Sequence, residues 1–153
     1  MTNEQIIDLV LEYTKGEDLI QCVTFSIDNN WVKPEDYESY GCRIGFITED
    51  KSSAKDKTAL NEWRILHHNK YIKSKIDGSE PSSSSFPPAY NFITEDDIEI
   101  DVLDDNHATV VVTTEHGSYL FEIECSEGNE DEIIINKVKS KSKWVSEYAD
   151  FIV

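Results

Sequence analysis

The sequence is poor in cysteine and has no long hydrophobic run. Its three cysteines, Cys22, Cys42 and Cys125, lie far apart among 153 residues and form no CxxC pair. An odd number of distant cysteines cannot build a closed disulfide framework, so we expect reduced thiols. No apolar stretch approaches the roughly 18 residues of a membrane helix. The N-terminus also lacks the basic start and apolar centre of a signal peptide. The sequence therefore predicts a cytoplasmic protein that does not bind membranes.

Catalytic and metal-binding motifs are absent as well. The sequence contains no GxGxxG, GxxxxGK[ST], HExxH or GxSxG pattern. His67 and His68 are adjacent, so on a helix they point about 100° apart and cannot chelate one ion as an i, i+4 pair could. The acidic runs lack the spaced oxygen ligands of a calcium loop. We therefore expect no metal, no cofactor and no enzymatic activity.

Basic residues are scarce, and their distribution is uneven. The chain has 14 Lys plus Arg against 31 Asp plus Glu, a formal net charge of −17. Between residues 95 and 132 there are fourteen acids and no Lys or Arg, whereas Lys residues collect in 51–75 and 137–143. Such a field repels nucleic acid and attracts a basic protein. The composition thus predicts a basic protein partner and no nucleic-acid partner.

The N-terminal part of the chain has helical periodicity. Thr2 and Gln5 form a capping-box pattern, and apolar residues then recur at helical spacing up to Gly16, where a helix end is predicted. Residues 17–33 fit a strand or a second helix, and helix is favoured over 17–30. A turn at 33–36, an extended stretch at 40–48 and a helix over 56–73 follow. The serine-rich stretch 77–85 is predicted to be a loop, followed by extended structure at 86–90.

The last third of the sequence has the alternation of β-strands. Strands are predicted at 98–102, 108–114, 118–125 and 133–138, with turns at 104–106 and 116–117 and a loop at 126–132. Short connections favour an antiparallel meander. Tyr119, Phe121 and Ile123 share one face of their strand, and the N-terminal helices are the available cover for that apolar face. The fold class expected for residues 1–153 is a single α+β domain.

Several segments together resemble bacterial immunity proteins with a nuclear-transport-factor-2-like fold. They are Asn29–Trp31, Pro87–Tyr90, ATVVVTTE at 108–115, SYLFEIE at 118–124, IINKVK at 134–139 and Trp144. The resemblance covers most of the chain and is best over 86–145. It implies a curved antiparallel sheet wrapped around N-terminal helices to form a cone. It also implies that the chain binds and neutralises a cognate toxin domain.

Charge and resemblance together lead to one hypothesis for the binding site. Many toxins that cleave nucleic acid are basic because they grip phosphate, so an acidic inhibitor can occupy the same surface. We expect the partner to contact the acidic face of the sheet. The expected partner-binding residues are Asp97, Glu99, Asp101, Asp104, Asp105, Glu122 and Glu124.

Two other classes of function stay open at this stage. The cone fold also hosts isomerases and dehydratases, in which a buried acid abstracts a proton from a small molecule. Asp28 and Asp150 are the nearest candidates for such an acid. The third alternative is a scaffold that forms a homodimer through its sheet, although fourteen acids in one stretch disfavour self-association at low salt.

Overall fold

The computed structural model describes residues 1–28, 57–77, 89–126 and 129–152. These residues form two helices and a five-stranded antiparallel sheet, which confirms the α+β class. The chain divides into two compact units. The first unit comprises residues 1–13, 69–75 and 93–153, and the second comprises residues 14–68 and 76–92.

Helix α1 spans Asn3–Asp28 and begins at the predicted capping box. The Thr2 amide donates to Gln5 Oε1 at 2.8 Å, and the Gln5 amide donates to Thr2 Oγ1 at 3.2 Å. Helix was correctly favoured for residues 17–28, but the predicted end at Gly16 is wrong. Gly16 lies inside the helix, where a Cβ atom would collide with the imidazole of His67. Glycine is explained at this position by close packing and not by a turn.

Helix α2 spans Lys57–Tyr71, within the predicted range 56–73. Immediately after it, Ile72 forms an isolated parallel bridge with Ile135, and the Lys73 amide donates to the Ile135 carbonyl at 2.8 Å. This bridge ties the end of α2 to a central strand of the sheet. Within the described residues, neither helix combines the length and apolarity needed to cross a bilayer.

The sheet is the predicted meander, with strands in the order β1-β2-β3-β4-β5. The strands are β1 Ile98–Leu103, β2 His107–Thr114, β3 Gly117–Ser126, β4 Asn129–Ser142 and β5 Ala149–Ile152. The loop predicted up to residue 132 is too long, because β4 already begins at Asn129. β4 also continues past the predicted end at 138, since Lys139 and Lys141 pair with β3 residues.

The buried face of the sheet carries the core of the first unit. Val110, Phe121 and Val138 are aligned across β2, β3 and β4 and are fully buried. Tyr13 of α1 meets Phe121 edge to face, with ring centroids 6.1 Å apart and an interplanar angle of 76°. Tyr71 meets Tyr13 in a similar geometry at 6.1 Å. Each large apolar side chain buried in this way contributes roughly 1.5–3 kcal/mol.

The described part of the second unit consists mainly of the helical residues 14–28 and 57–68 and the segment 89–92. Leu19, Ile20, Cys22 and Tyr90 are buried in it. The predicted turn at 33–36, the extended stretch at 40–48 and nearly all of the serine-rich loop fall outside the described residues. Of the extended stretch predicted at 86–90, only the last two residues are described, and both lie in a bend.

Candidate partner-binding surface

Strand β1 is one of the two outer strands of the described sheet and carries most of the predicted site. It pairs with β2 on one side. The acids on this strand and in its flanking turns are mostly exposed. The exposed acids are Glu95, Asp96, Glu99, Asp101, Asp104 and Asp105. The structure thus brings five of the seven predicted residues, from Asp97 to Asp105, to one strand and its two ends.

Two of these five acids shape the backbone at the ends of β1. Asp97 Oδ2 accepts a hydrogen bond from the Thr94 amide at 2.8 Å, which closes a short 3₁₀ turn, Glu95–Asp97, before the strand. Asp104 Oδ1 accepts the amides of Asn106 at 2.8 Å and His107 at 2.7 Å. These backbone hydrogen bonds, that of Asn106 first, lower the pKa of Asp104. Both carboxylates are therefore positioned by the turns that they stabilise.

The other three acids point into solvent without a partner inside the described chain. Glu99 pairs in register with Val111, and Asp101 lies at a bulge between Ile100 and Val102 that leaves it without a register partner in β2. Asp105 lies in the hairpin turn that follows. Since their carboxylates make no internal hydrogen bond or ion pair among the described residues, they are available to an external cation.

Glu122 and Glu124 lie elsewhere, on the central strand β3, among basic groups. Glu124 Oε1 is 2.6 Å from Lys73 Nζ, and its side chain is only 18% exposed. Glu122 is aligned with Lys137 of β4, and its Oε2 atom is shielded from solvent and accepts no hydrogen bond from the described residues. Lys139 and Lys141 continue along the same face as Lys137. The acidic face expected from the sequence is therefore interrupted by the lysines of β4 and by Lys73 beside Glu124.

Comparison with protein-family models, with curated proteins and with solved structures found no match. The function is therefore inferred from the chemistry of the residues.

Sequence reasoning missed two acids that the structure places in the second unit, Glu17 and Asp18. Asp18 is fully buried, and burial raises its pKa to about 6, against the opposing effect of backbone hydrogen bonds. Burial likewise raises the pKa of Glu17 to about 7. The charge of Arg64 lowers this pKa, and the charge of Asp18 raises it further. Neither residue was singled out from the sequence, because the first helix was predicted to end at Gly16 and residues 17–30 were treated as a separate element.

A sequence signal for Asp18 did exist. Along α1, residues 6, 10, 14, 18 and 22 recur every fourth position, and the structure buries all five. Ile6, Val10 and Cys22 mark that row as an inward-facing stripe, so Asp18 is an acid on the apolar side of an amphipathic helix. The row becomes visible only if the helix is continued through Gly16.

Asp18 is used as an anchor for a bent segment of the chain. One carboxylate oxygen accepts the Tyr90 amide at 3.0 Å, and the other accepts the Phe92 amide at 2.7 Å. Asn91 and Phe92 both have φ of 54°, in the left-handed region that non-glycine residues seldom adopt. With both oxygens engaged, Asp18 is suited to holding this strained backbone and not to abstracting a proton from a ligand.

The acids first considered for proton abstraction do not have that environment. Asp150 lies exposed on the outer strand β5, and the side chain of Asp28 is outside the described part of the chain. His67 packs on Gly16 of α1. Within the described residues, no three His, Cys, Asp or Glu side chains converge as metal ligands would.

Proposed function

We propose that this chain is an immunity protein that binds and neutralises a basic toxin domain. The observation that supports the proposal is the set of exposed carboxylates on and beside β1, Glu99, Asp101 and Asp105, which have no partner among the described residues. They belong to a stretch of the sequence that contains no Lys or Arg from residue 95 to residue 132. Such a surface attracts a cationic one and leaves its own charges to be neutralised by it.

Electrostatics explains why an inhibitor of a nucleic-acid-cleaving toxin benefits from this arrangement. A toxin that grips phosphate exposes Lys and Arg around its active site, and a net charge of −17 attracts that surface over a distance of about a Debye length. Fast encounter matters to an inhibitor that must act before its target cleaves nucleic acid. Association should therefore be rapid at low salt and slower as salt screens the field.

The finer fold assignment is part of the same proposal. An open antiparallel sheet with helical residues packed on its apolar face is what a nuclear-transport-factor-2-like cone requires, and both features are present in the first unit. The proposal places the protein in the cytoplasm, where a toxin would meet its nucleic-acid substrate.

The first experiment is co-purification with the product of the neighbouring gene. The tagged chain is expressed together with that product, captured at low salt, and washed at increasing salt. We expect a stoichiometric basic domain that is released as salt rises. Recovery of the chain alone, at every salt concentration, would overturn the proposal.

A pair of charge-matched variants then locates the surface. The triple variant Glu99→Gln, Asp101→Asn, Asp105→Asn should weaken partner binding roughly tenfold or more, as several rim charges together contribute. The control, Glu132→Gln, Glu147→Gln, Asp150→Asn, removes the same charge at exposed positions on or next to β4 and β5. Equal affinity losses in both triple variants would show that only net charge matters, and would contradict the assignment of the site to β1.

The second candidate function is a small-molecule enzyme of the same cone fold. It is favoured by Glu17, since a carboxyl with a pKa of about 7 is suited to general acid–base chemistry at neutral pH. Mass spectrometry of material released on denaturing the purified protein tests this alternative. A stoichiometric small molecule, lost from a Glu17→Gln variant and retained in a Glu4→Gln control, would favour the enzyme over the inhibitor.

A further inference from the structure

We propose that the partner adds an extended basic segment to the edge of β1 that no described strand occupies, as a sixth strand of the described sheet. This inference rests on the proposed function, because it specifies how a basic partner would be held. It goes beyond charge attraction, since backbone hydrogen bonds would fix the register and direction of the partner segment.

The backbone of β1 offers the hydrogen-bonding groups that such an addition needs. The Asp104 amide donates to the His107 carbonyl at 2.9 Å across the hairpin. Because hydrogen-bonded and non-hydrogen-bonded pairs alternate in antiparallel sheets, the next pair, Leu103 with Ala108, is non-hydrogen-bonded. The N–H and C=O of Leu103 therefore point away from β2. No hydrogen bond to them comes from the described residues.

The side chains of the strand add an apolar contact to this edge. Val102 is 52% exposed and Leu103 is 43% exposed, an unusual degree of exposure for adjacent large apolar residues in a strand. An added strand would cover part of both. Sheet edges are normally shielded because they template pairing with other chains, so an edge that no described element covers, with exposed apolar residues on it, favours a binding role.

Charge identifies the occupant as a basic segment and not a second copy of this chain. Two copies paired edge to edge would bring Glu99, Asp101 and Asp105 of one copy close to the same acids of the other, and opposed like charges destabilise strand pairs. Lys or Arg at alternate positions of a foreign strand would instead lie opposite these acids. The same carboxylates thus disfavour self-association and favour a cationic strand.

A short peptide of alternating Lys and Val is the probe for this inference. Its fluorescently labelled form is titrated with the full chain at low salt, and binding is followed by anisotropy. The control peptide has the same sequence with every backbone nitrogen methylated, so it keeps the charge and side chains but has no N–H to donate. We expect the control peptide to bind at least about tenfold more weakly.

Variants at Leu103 distinguish the contribution of its backbone N–H to peptide binding from that of its side chain. Leu103→Pro removes the outward N–H without removing a hydrogen bond to β2, so it should weaken peptide binding about fivefold. Leu103→Ala keeps the N–H and should bind the peptide more tightly than the proline variant does. Should the proline variant not fold, hydrogen exchange measured by NMR on the unmodified protein gives the same answer. The Leu103 amide should become protected when the peptide is bound.

The outcomes distinguish this inference from the proposed function. Equal binding of the two peptides, an unprotected Leu103 amide, or peptide-induced dimerisation of the chain would overturn strand addition. Recovery of a salt-sensitive basic partner in the co-purification experiment would still support the inhibitor in that case. If the co-purification fails but the chain binds the unmethylated peptide selectively, the results would support a strand-accepting edge and overturn the toxin partner.

Discussion

The acids around β1 and the acids in the middle of α1 are the same chemical groups in opposite environments. The carboxylates of Glu99, Asp101 and Asp105 lie in solvent and accept no hydrogen bond from the described residues. Asp18 is fully buried with both oxygens hydrogen-bonded, and burial raises its pKa and that of Glu17.

The difference teaches where each group can act. A solvent-facing carboxylate costs the fold little and keeps its charge for a partner, whereas a buried carboxylate must be compensated by internal donors and therefore organises the backbone. We expect substitutions in the first group to alter binding and substitutions in the second to alter stability. The following predictions test that division, beginning with the largest effect.

Replacing Asp18 should damage the fold most. Asp18→Ala leaves the Tyr90 and Phe92 amides without their acceptors and no longer holds Asn91 and Phe92 in their strained conformation. The free energy of unfolding should therefore fall by about 2–4 kcal/mol. Asp18→Asn retains one acceptor and should lose less. Denaturant unfolding at pH 7 measures both, and an unchanged midpoint for Asp18→Ala would show that the anchor is dispensable.

Glu17 and Asp18 should make the protein less stable as pH rises. Both bind a proton more tightly in the folded chain, so their contribution is full below about pH 4 and is lost as pH rises through about 6 and about 7. Glu17→Gln, which cannot ionise, should reduce this loss and stabilise the protein at pH 8 by about 1–3 kcal/mol. Thermal unfolding from pH 4 to pH 8 provides the measurement.

The control for this titration is Glu4→Gln, at an exposed position in the first turn of α1. It should leave the slope of stability against pH unchanged. A steeper loss of stability in Glu17→Gln than in the unmodified protein would contradict the direction of the Glu17 shift.

Gly16→Ala should destabilise the protein by about 1 kcal/mol, although alanine is the better helix former. The added Cβ meets the His67 imidazole, and the cost of moving the ring should exceed the gain in helix propensity. Adding His67→Ala should restore most of the lost stability, because the imidazole that the new Cβ meets is then absent. A double-mutant cycle by chemical denaturation gives the coupling, and a coupling energy near zero would rule out the collision.

Neutralising the β1 acids should have the smallest effect on stability. Glu99→Gln, Asp101→Asn, Asp105→Asn should change the free energy of unfolding by about 0.5 kcal/mol or less, since the three side chains lie in solvent. This triple variant should nevertheless lose affinity for the partner. Destabilisation comparable to that of Asp18→Ala would abolish the distinction between the two groups of acids.

The sheet was largely predictable because its signals are local. Alternation in β1 and β3, β-branched residues in β2 and the Asp104–Asn106 turn each fall within a few residues, and the structure confirms them. The start of β4 was missed because the run Asn129–Glu132 is polar and acidic, and yet Asn129 pairs with Ser126 of β3. Tertiary pairing overrode local propensity there.

The site was predictable in composition but not in arrangement. The sequence identified Glu99, Asp101 and Asp105 as acids available to a partner, and they are exposed. It could not show that Glu124 pairs with Lys73, which is separated from it by a long stretch of sequence. It also treated Gly16 as a helix end, which concealed Asp18, because close packing on His67 leaves no local trace in the sequence.

The anchor at Asp18 also has a consequence for the order of folding. The hairpins of the sheet close turns of a few residues, whereas Asp18 must reach a backbone amide 72 positions along the chain. Closing so long a loop costs more entropy and is slower, so the meander should form before the segment at Tyr90 is captured. Pulse-labelled hydrogen exchange during refolding should therefore protect the amides of β2 and β3 early and those of Tyr90 and Phe92 late.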